Sequence, residues 1–298
     1  KKKKNSDIVI LGVKTKKENE YGRIILNDEG GVKKIIEFKD ATSQQKKISL
    51  CNSGIILIKS NVLKRLILKI KPKNKKREYY LTDIIELATR ENLKVDFLEE
   101  NFLKTLGINT KQELVVAEAY FQNILRNKFI SNGVKLLDPE TVFFHYDTRI
   151  GKDVIIEPNV FFGPKVIIKD NVHIKAFSHI EGAKIFDSVT IGPFARLRPE
   201  TIINKNSSIG NFVEIKKTFI KKNTKINHLT YLGDSEIGEN VNIGAGVITC
   251  NYDGIKKNKT RIDNNVFVGS NVSLVAPIKL NKNSIVGAGS VINESVKE

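Results

Sequence analysis

From Thr148 onward the apolar positions recur at every sixth residue. Ile150, Ile156, Phe162, Ile168, Ile174 and Ile180 share one phase, and Val154, Val160, Val166 and Val172 keep the same period. The phase slips by one residue after Ile180 and resumes at Ile185, Ile191, Leu197, Ile203, Ile209 and Ile215. A second slip leads to Ile220, Ile226 and Leu232, and a third to Ile237 and Ile243. After an excursion at 250–261, Val268, Leu274, Leu280 and Val286 restart the period. Six fits neither a helix nor a simple strand alternation. It predicts a parallel β-helix: each hexad is a short strand and a turn, and three hexads close one triangular coil. One residue per hexad then points inward and stacks on its equivalent in the next coil. Roughly 150 residues at that density make about eight coils. Gly and Asn recur at the corners, where they tolerate the backbone that turns need. Thr249 to Arg261 is too long for a corner and is expected to be an external loop, the kind of segment that carries binding residues.

The first part of the chain has a different pattern. Residues 7–14, 53–59 and 94–99 are short apolar runs that predict strands, and 23–38 alternate around a turn at Asn27–Gly31, as a hairpin does. Residues 61–70 and 83–91 have helical spacing. Strands alternating with helices predict an α/β domain with a largely parallel sheet. Residues 110–127 predict a long helix, with Thr110 as N-cap, Glu113 at the capping-box position and Gly133 beyond its end. Leu114, Ala117, Phe121, Ile124 and Leu125 are expected to share its buried face.

The 298 residues hold no methionine, which predicts a fragment starting inside a larger protein. No apolar run is long enough for a membrane span, and no signal peptide is visible. Cys51 and Cys250 lie far apart, outside any metal-ligand spacing, and are expected to be reduced thiols of a cytoplasmic protein. The net charge of +17 comes from scattered lysines. The runs Lys1–Lys4 and Lys71–Arg77 are expected to be solvated loops. Without a zinc-finger, zipper or aromatic-interleaved basic motif, an anionic small substrate fits this charge better than nucleic acid.

Nine stretches carry a specific resemblance: IGPFARLRPE (191–200), NFVEIKK (211–217), HLTYLGDSEIGENVNIGAGVITCNYDG (228–254), VFVGSNVSLVAP (266–277) and, in the first part, EYGRI (20–24), EFKDAT (37–42), NSGI (52–55), EYYLTD (78–83) and GIN (107–109). In order and spacing they resemble the bifunctional bacterial N-acetylglucosamine-1-phosphate uridylyltransferase/glucosamine-1-phosphate acetyltransferase family. The resemblance implies an α/β nucleotidyltransferase-like remnant at 1–109, a linker helix at 110–133 and a left-handed parallel β-helix of hexapeptide repeats at 134–298. It implies acetyl transfer from acetyl-CoA to the amine of glucosamine 1-phosphate, a homotrimer, and no membrane insertion or nucleic-acid partner. The family's Gly-rich start and metal-binding aspartate segment are missing. The magnesium-dependent transfer of UMP from UTP, which makes UDP-N-acetylglucosamine, is therefore expected to be inactive. The family also continues past Glu298, into a tail with a basic residue near the coenzyme.

By the same resemblance His228 is the catalytic base. An amine that attacks a thioester must shed a proton, and an imidazole of ordinary pKa near 6.5 suits that task. Arg198 and Lys216 match residues that grip the sugar phosphate, the first as a planar fork and the second as a point charge. Arg196 is a weaker candidate. Tyr231 and Asn242 match sugar contacts. Asn251 and Tyr252 match residues near the amine and acetyl group, and Ala245, Ser270 and Ala288 match the coenzyme groove. In the first part Gly22, Glu37, Asn52 and Asn109 match contacts to the nucleotide sugar, with Asn109 also a magnesium ligand. His145, His173 and His179 match no site motif. Two other readings remain open: a sugar nucleotidyltransferase whose β-helix serves only assembly, and a non-enzymatic basic binding module.

Overall fold

The computed structural model describes residues 5–15, 20–74 and 77–298. The lysine run at 1–4, and Lys75 and Lys76 of the second basic run, lie outside the described residues. By its contacts the chain divides into two units, Lys1–Tyr120 and Phe121–Glu298.

The first unit is a five-stranded sheet. Its strands are β1 (Ile8–Lys14), β2 (Arg23–Leu26), β3 (Val32–Ile36), β4 (Leu50–Ile58) and β5 (Val95–Glu100), in the order β3-β2-β4-β1-β5. Among the described residues only the β1–β5 pair is parallel; β1–β4, β2–β3 and β2–β4 are antiparallel. The expectation of a largely parallel sheet is therefore wrong. The hairpin at 23–36 places two strands side by side without a crossover, and β4 returns against β1. Helices α1 (Ser43–Lys46), α2 (Ser60–Leu66) and α3 (Asp83–Arg90) complete the unit. Ile8, Ile10 and Ile24 from the sheet pack with Leu66, Ile84 and Ile85 from α2 and α3 to form its core.

Helix α4 spans Lys111–Ser131, and Thr110 and Glu113 exchange the two capping-box hydrogen bonds at 3.2 and 2.8 Å. Its buried residues are Gln122, Leu125 and Phe129, while Leu114, Phe121 and Ile124 are exposed. The apolar face expected from spacing is thus displaced. The cause is the open end of the β-helix. Gln122 donates to the carbonyl of Phe144 at 2.7 Å and accepts from its N–H at 2.9 Å, supplying partners that no earlier coil provides. A polar residue therefore occupies the middle of the buried stripe.

The second unit is a parallel β-helix of hexapeptide repeats, of the left-handed type. One face is a sheet of nine strands, from Lys135–Leu136 to Ile285–Val286, so the coils number nine. The ninth comes from residues before Thr148: Leu136 pairs with Ile156, two residues more than three hexads, because the turn at Pro139–Thr141 lengthens this coil and breaks the period. Ile156, Ile174, Ile191, Ile209, Ile226, Ile243, Val268 and Val286 are successive register partners on this face. All are at most 3% exposed, so each contributes close to the full burial term of about 1.5–3 kcal/mol for an aliphatic side chain. The one-residue slips shorten whole coils: Ile174 pairs with Ile191 and Ile226 with Ile243, each one residue short of three hexads. Two of the shortened corners, at Lys217 and Asp234, are turned inside the continuous strands Glu214–Ile220 and Tyr231–Ile237.

Many corners carry asparagine with φ between 55° and 61°, as in Asn206, Asn223, Asn240, Asn265 and Asn283. Their amides form a ladder, each Nδ2 donating to the next Oδ1 at 3.1–3.3 Å. A second corner column is Phe177, Phe194, Phe212 and Leu229, all with positive φ. Its rings stack at 4.9 and 5.2 Å between centroids, and the column is exposed. Both cysteines are free thiols. Among the described residues no helix is long and apolar enough to cross a membrane.

Candidate functional site on the β-helix

The coil register builds the site. Asn211 and His228 are Cα partners on neighbouring coils. Lys225 pairs with Asn242, Asn242 with Phe267 and Phe267 with Ile285. Three residues further along each coil, His228 ends its strand and Ala245, Ser270 and Ala288 sit in the turns, where Asn271 N–H donates to the Ala245 carbonyl and Gly289 N–H to that of Ser270, so the four follow one another from coil to coil. At about 4.8 Å per coil the column runs roughly 14 Å from the imidazole to Ala288. Beyond His228 its side chains are a hydroxymethyl and two methyls, which leaves a shallow track beside the backbone. Gly244 deepens it: a Cβ there would lie 2.5 Å from the backbone of Gly269.

His228 is exposed, and its Nδ1 lies 2.8 Å from Asn211 Oδ1. An amide oxygen only accepts, so Nδ1 is the donor of this bond and Nε2 is the ring nitrogen left to face a substrate. The next residue, Leu229, turns the corner with φ 49°. Thr230 Oγ1 then donates to the His228 carbonyl at 2.7 Å and fixes the backbone beneath the ring.

The adjoining face carries the charged groups. Arg196, Glu214 and Tyr231 occupy one outward column. Arg198, Lys216 and Gly233 follow in the next, by the same register. Arg198 Nη1 donates to Glu214 Oε1 at 2.9 Å, and Arg196 Nη1 is 4.0 Å from that oxygen. The guanidinium of Arg198 is thus held in place with further N–H groups to spare. Gly233 is a gap that two side chains fill: a Cβ there would lie 2.5 Å from Tyr231 Oη and 2.6 Å from Asn251 Nδ2. Asn251 is buried and donates to Asp234 Oδ2 at 2.5 Å.

Arg198, Lys216, Tyr231 and Asn251 therefore gather on one face, with His228 at its edge. Asn242 does not join them. It projects from the neighbouring face between Lys225 and Phe267. The external loop is 251–259, shorter than expected, because Ile248–Cys250 and Thr260–Ile262 are strands. Tyr252 is exposed on it, its hydroxyl donating to the Gly254 carbonyl and its ring lying 4.8 Å from Lys257 Nζ. Asp253 braces the loop by accepting from the N–H groups of Ile255 and Lys256 and the amide of Asn258. The backbone bonds, that to Lys256 first, lower its pKa to about 2. Asn211, Glu214, Gly233 and Asp234 were not singled out from the sequence. Their signal is distance: Asn211 lies one coil before His228, and Asp234 one coil before Asn251.

In the first unit, Gly22, Glu37 and Asn52 meet. Asn52 N–H donates to the Gly22 carbonyl at 2.8 Å, and a Cβ on Gly22 would lie 3.2 Å from Glu37 Oε2. Glu37 also accepts from Thr82 Oγ1 at 2.7 Å and borders a cavity of about 600 Å³ shared with Asp40, Asp83 and Glu86. Burial, then Glu86, Glu37 and Asp40, push the Asp83 carboxyl above its usual range. Asn109 is exposed, and Glu113 accepts from its backbone N–H and that of Thr110 at 2.7 and 2.8 Å. Among the described residues no three His, Cys, Asp or Glu side chains are grouped to hold a metal ion. Asn109 and its neighbours do not by themselves fit magnesium.

Residues 147–182, 182–217 and 259–294 match the family model described as bacterial transferase hexapeptide (six repeats). The chain carries hexapeptide repeats of that kind. Across 97–98% of its length it is a homologue of the proteins named Bifunctional protein GlmU: 48% identical to that of Paramagnetospirillum magneticum, 44% to that of Zymomonas mobilis and 46% to that of Bartonella bacilliformis. It spans 64–65% of the length of these relatives. Among solved structures, an Arabidopsis UDP-N-acetylglucosamine acyltransferase matches 53% of this chain and 68% of its own, at 17% identity and a TM-score of 0.43. That likeness is too distant to add to the fold.

Proposed function

We propose that the β-helix transfers an acetyl group from acetyl-CoA to the amine of glucosamine 1-phosphate, giving N-acetylglucosamine 1-phosphate. The observation that carries this reading is the imidazole of His228, held by Asn211 with Nε2 free at the head of the Ala245–Ser270–Ala288 track. The amine nitrogen attacks the thioester carbonyl and loses a proton to Nε2. The C–S bond breaks, and the imidazolium returns the proton to the departing thiolate. Arg198 and Lys216 take the phosphate by charge-assisted hydrogen bonds, while Tyr231 and Asn242 contact the sugar. Asn251 and Tyr252 lie by the amine and acetyl group. The track, with its small side chains, takes the pantetheine arm.

In the whole protein the first part would transfer UMP from UTP, giving UDP-N-acetylglucosamine for peptidoglycan and lipopolysaccharide, with Gly22, Glu37, Asn52 and Asn109 on the nucleotide sugar. The magnesium ion of that step requires donors beyond Asn109. The functional division is 1–109, 110–133 and 134–298, in a cytoplasmic homotrimer. The exposed Phe177–Phe194–Phe212–Leu229 column supports the trimer, because a contiguous apolar column on a surface marks a place for a partner. Asn242 lies off the Tyr231 face, which supports a site completed by a neighbouring copy. The test is thiol release from acetyl-CoA. Glucosamine 1-phosphate should drive it and glucosamine 6-phosphate should not; equal rates with both would overturn the phosphate assignment.

A further inference from the structure

Asp234 is the one carboxylate among the described residues that is classed as buried, at 7% exposure. It sits at a corner with φ 51°, a conformation that aspartate tolerates better than most residues. Its hydrogen-bond partner is the amide of Asn251, itself 4% exposed and one coil further along, at 2.5 Å. Burying a carboxylate is costly unless it is well bonded. The sequence needs only a small polar residue to turn this corner.

The chemistry of the pair fixes the direction of the amide. The atom that Asn251 turns toward Asp234 is Nδ2, the donor end of the amide, and the carboxyl oxygen Oδ2 accepts from it. The same nitrogen lies over the bare backbone of Gly233, beside Tyr231 Oη. The amide is therefore pinned at its nitrogen end, and Oδ1 is the atom left for a ligand.

We propose that Asp234 is a positioning residue for acetyl transfer: it orients Asn251 so that Oδ1 accepts an N–H from the attacking amine. This rests on the acetyl-transfer reading above and deepens it. With one N–H on Asn251 and another on His228 Nε2, the nitrogen is oriented by two acceptors and its lone pair is directed at the thioester. The position then selects a donor, a primary amine, and does not stabilise the oxyanion. Without Asp234 the amide is free to flip and present its NH₂ to the amine, two donors face to face.

The test is steady-state kinetics on the full chain with acetyl-CoA and glucosamine 1-phosphate. Asp234→Ala should lower kcat/KM for the aminosugar about ten-fold, the scale of a lost orienting contact, with KM for acetyl-CoA unchanged. Asn251→Ala should lose at least as much. The double variant should lose no more than Asn251→Ala, because the carboxylate acts only through the amide. Asp234→Asn keeps the shape and an accepting oxygen and should stay within about three-fold of wild type. A folded Asp234→Ala with wild-type kinetics overturns the inference, as do losses that multiply in the double variant. If Asp234→Ala does not fold, Asp234→Asn decides alone: a loss as deep as that of Asn251→Ala overturns the inference. A wild-type chain that releases no thiol contradicts both this inference and the acetyl-transfer reading. An active wild type with an indifferent Asp234 contradicts this inference alone.

Discussion

Asn211 Oδ1 lies 2.8 Å from His228 Nδ1, across one step of the β-helix. The two are Cα partners in parallel strands, so the contact is set by the coil register. A rigid solenoid thus sets the tautomer of its histidine before any substrate arrives. Asn211→Ala should leave the fold intact, since neither side chain is buried and exposed substitutions stay within about 0.5 kcal/mol. It should lower kcat for acetyl transfer about ten-fold, less than loss of the base itself. Kinetics beside a thermal melt check this; an unchanged kcat would show that the tautomer is set otherwise.

Arg198 is held by Glu214 on one edge and keeps other N–H groups for an anion. Arg198→Ala and Lys216→Ala should each raise KM for glucosamine 1-phosphate about ten- to hundred-fold, the worth of a charge-assisted hydrogen bond of about 1.5–3 kcal/mol. Glucosamine without its phosphate should react equally slowly with variant and wild type. A KM indifferent to both substitutions would move the phosphate elsewhere.

Gly233 is required by space and not by backbone angle. A methyl group there would press on Tyr231 Oη and Asn251 Nδ2 at once. Gly233→Ala should cost about 1–3 kcal/mol of stability, the usual range for overpacking, and should cut kcat more than ten-fold by displacing both side chains. A melting curve and a rate measured on the same sample test the two effects separately.

Asp253 braces the loop that carries Tyr252. Hydrogen bonds from Lys256, Ile255 and Asn258 lower its pKa from 3.8 to about 2. A carboxylate depressed in the folded state contributes stability above its unfolded pKa and loses it as the pH falls through the folded one. Loop order should therefore hold at neutral pH and decay between about pH 4 and pH 2. Amide exchange at Ile255 and Lys256 should report it, and Asp253→Asn should abolish that pH dependence. Exchange that is flat across the window would sink the bracing role.

The hexad period was legible because every coil offers each residue the same surroundings, so Ile156 to Val286 repeat one environment. The first coil is not legible because the turn at Pro139–Thr141 makes it two residues longer than three hexads, so Leu136 falls out of phase with Ile156. Strand direction in the first unit is not written in apolar spacing, so the antiparallel return of β4 against β1 is not readable from it. His228, Arg198, Lys216, Tyr231 and Asn251 were found through motif resemblance. Their partners Asn211, Glu214 and Asp234 were not, because each lies one coil earlier. That distance becomes readable only once the coil length is known. Gln122 was missed because its partners are backbone groups at an open edge, which leave no trace in the side-chain pattern.

The most direct test of the account is thiol release from acetyl-CoA with glucosamine 1-phosphate, comparing the wild-type chain with His228→Ala. General base catalysis is worth about 10²- to 10⁴-fold, and the variant should lose that much of kcat while melting at the wild-type temperature. A well-folded His228→Ala protein that turns over at the wild-type rate would contradict the assignment of this histidine as the base.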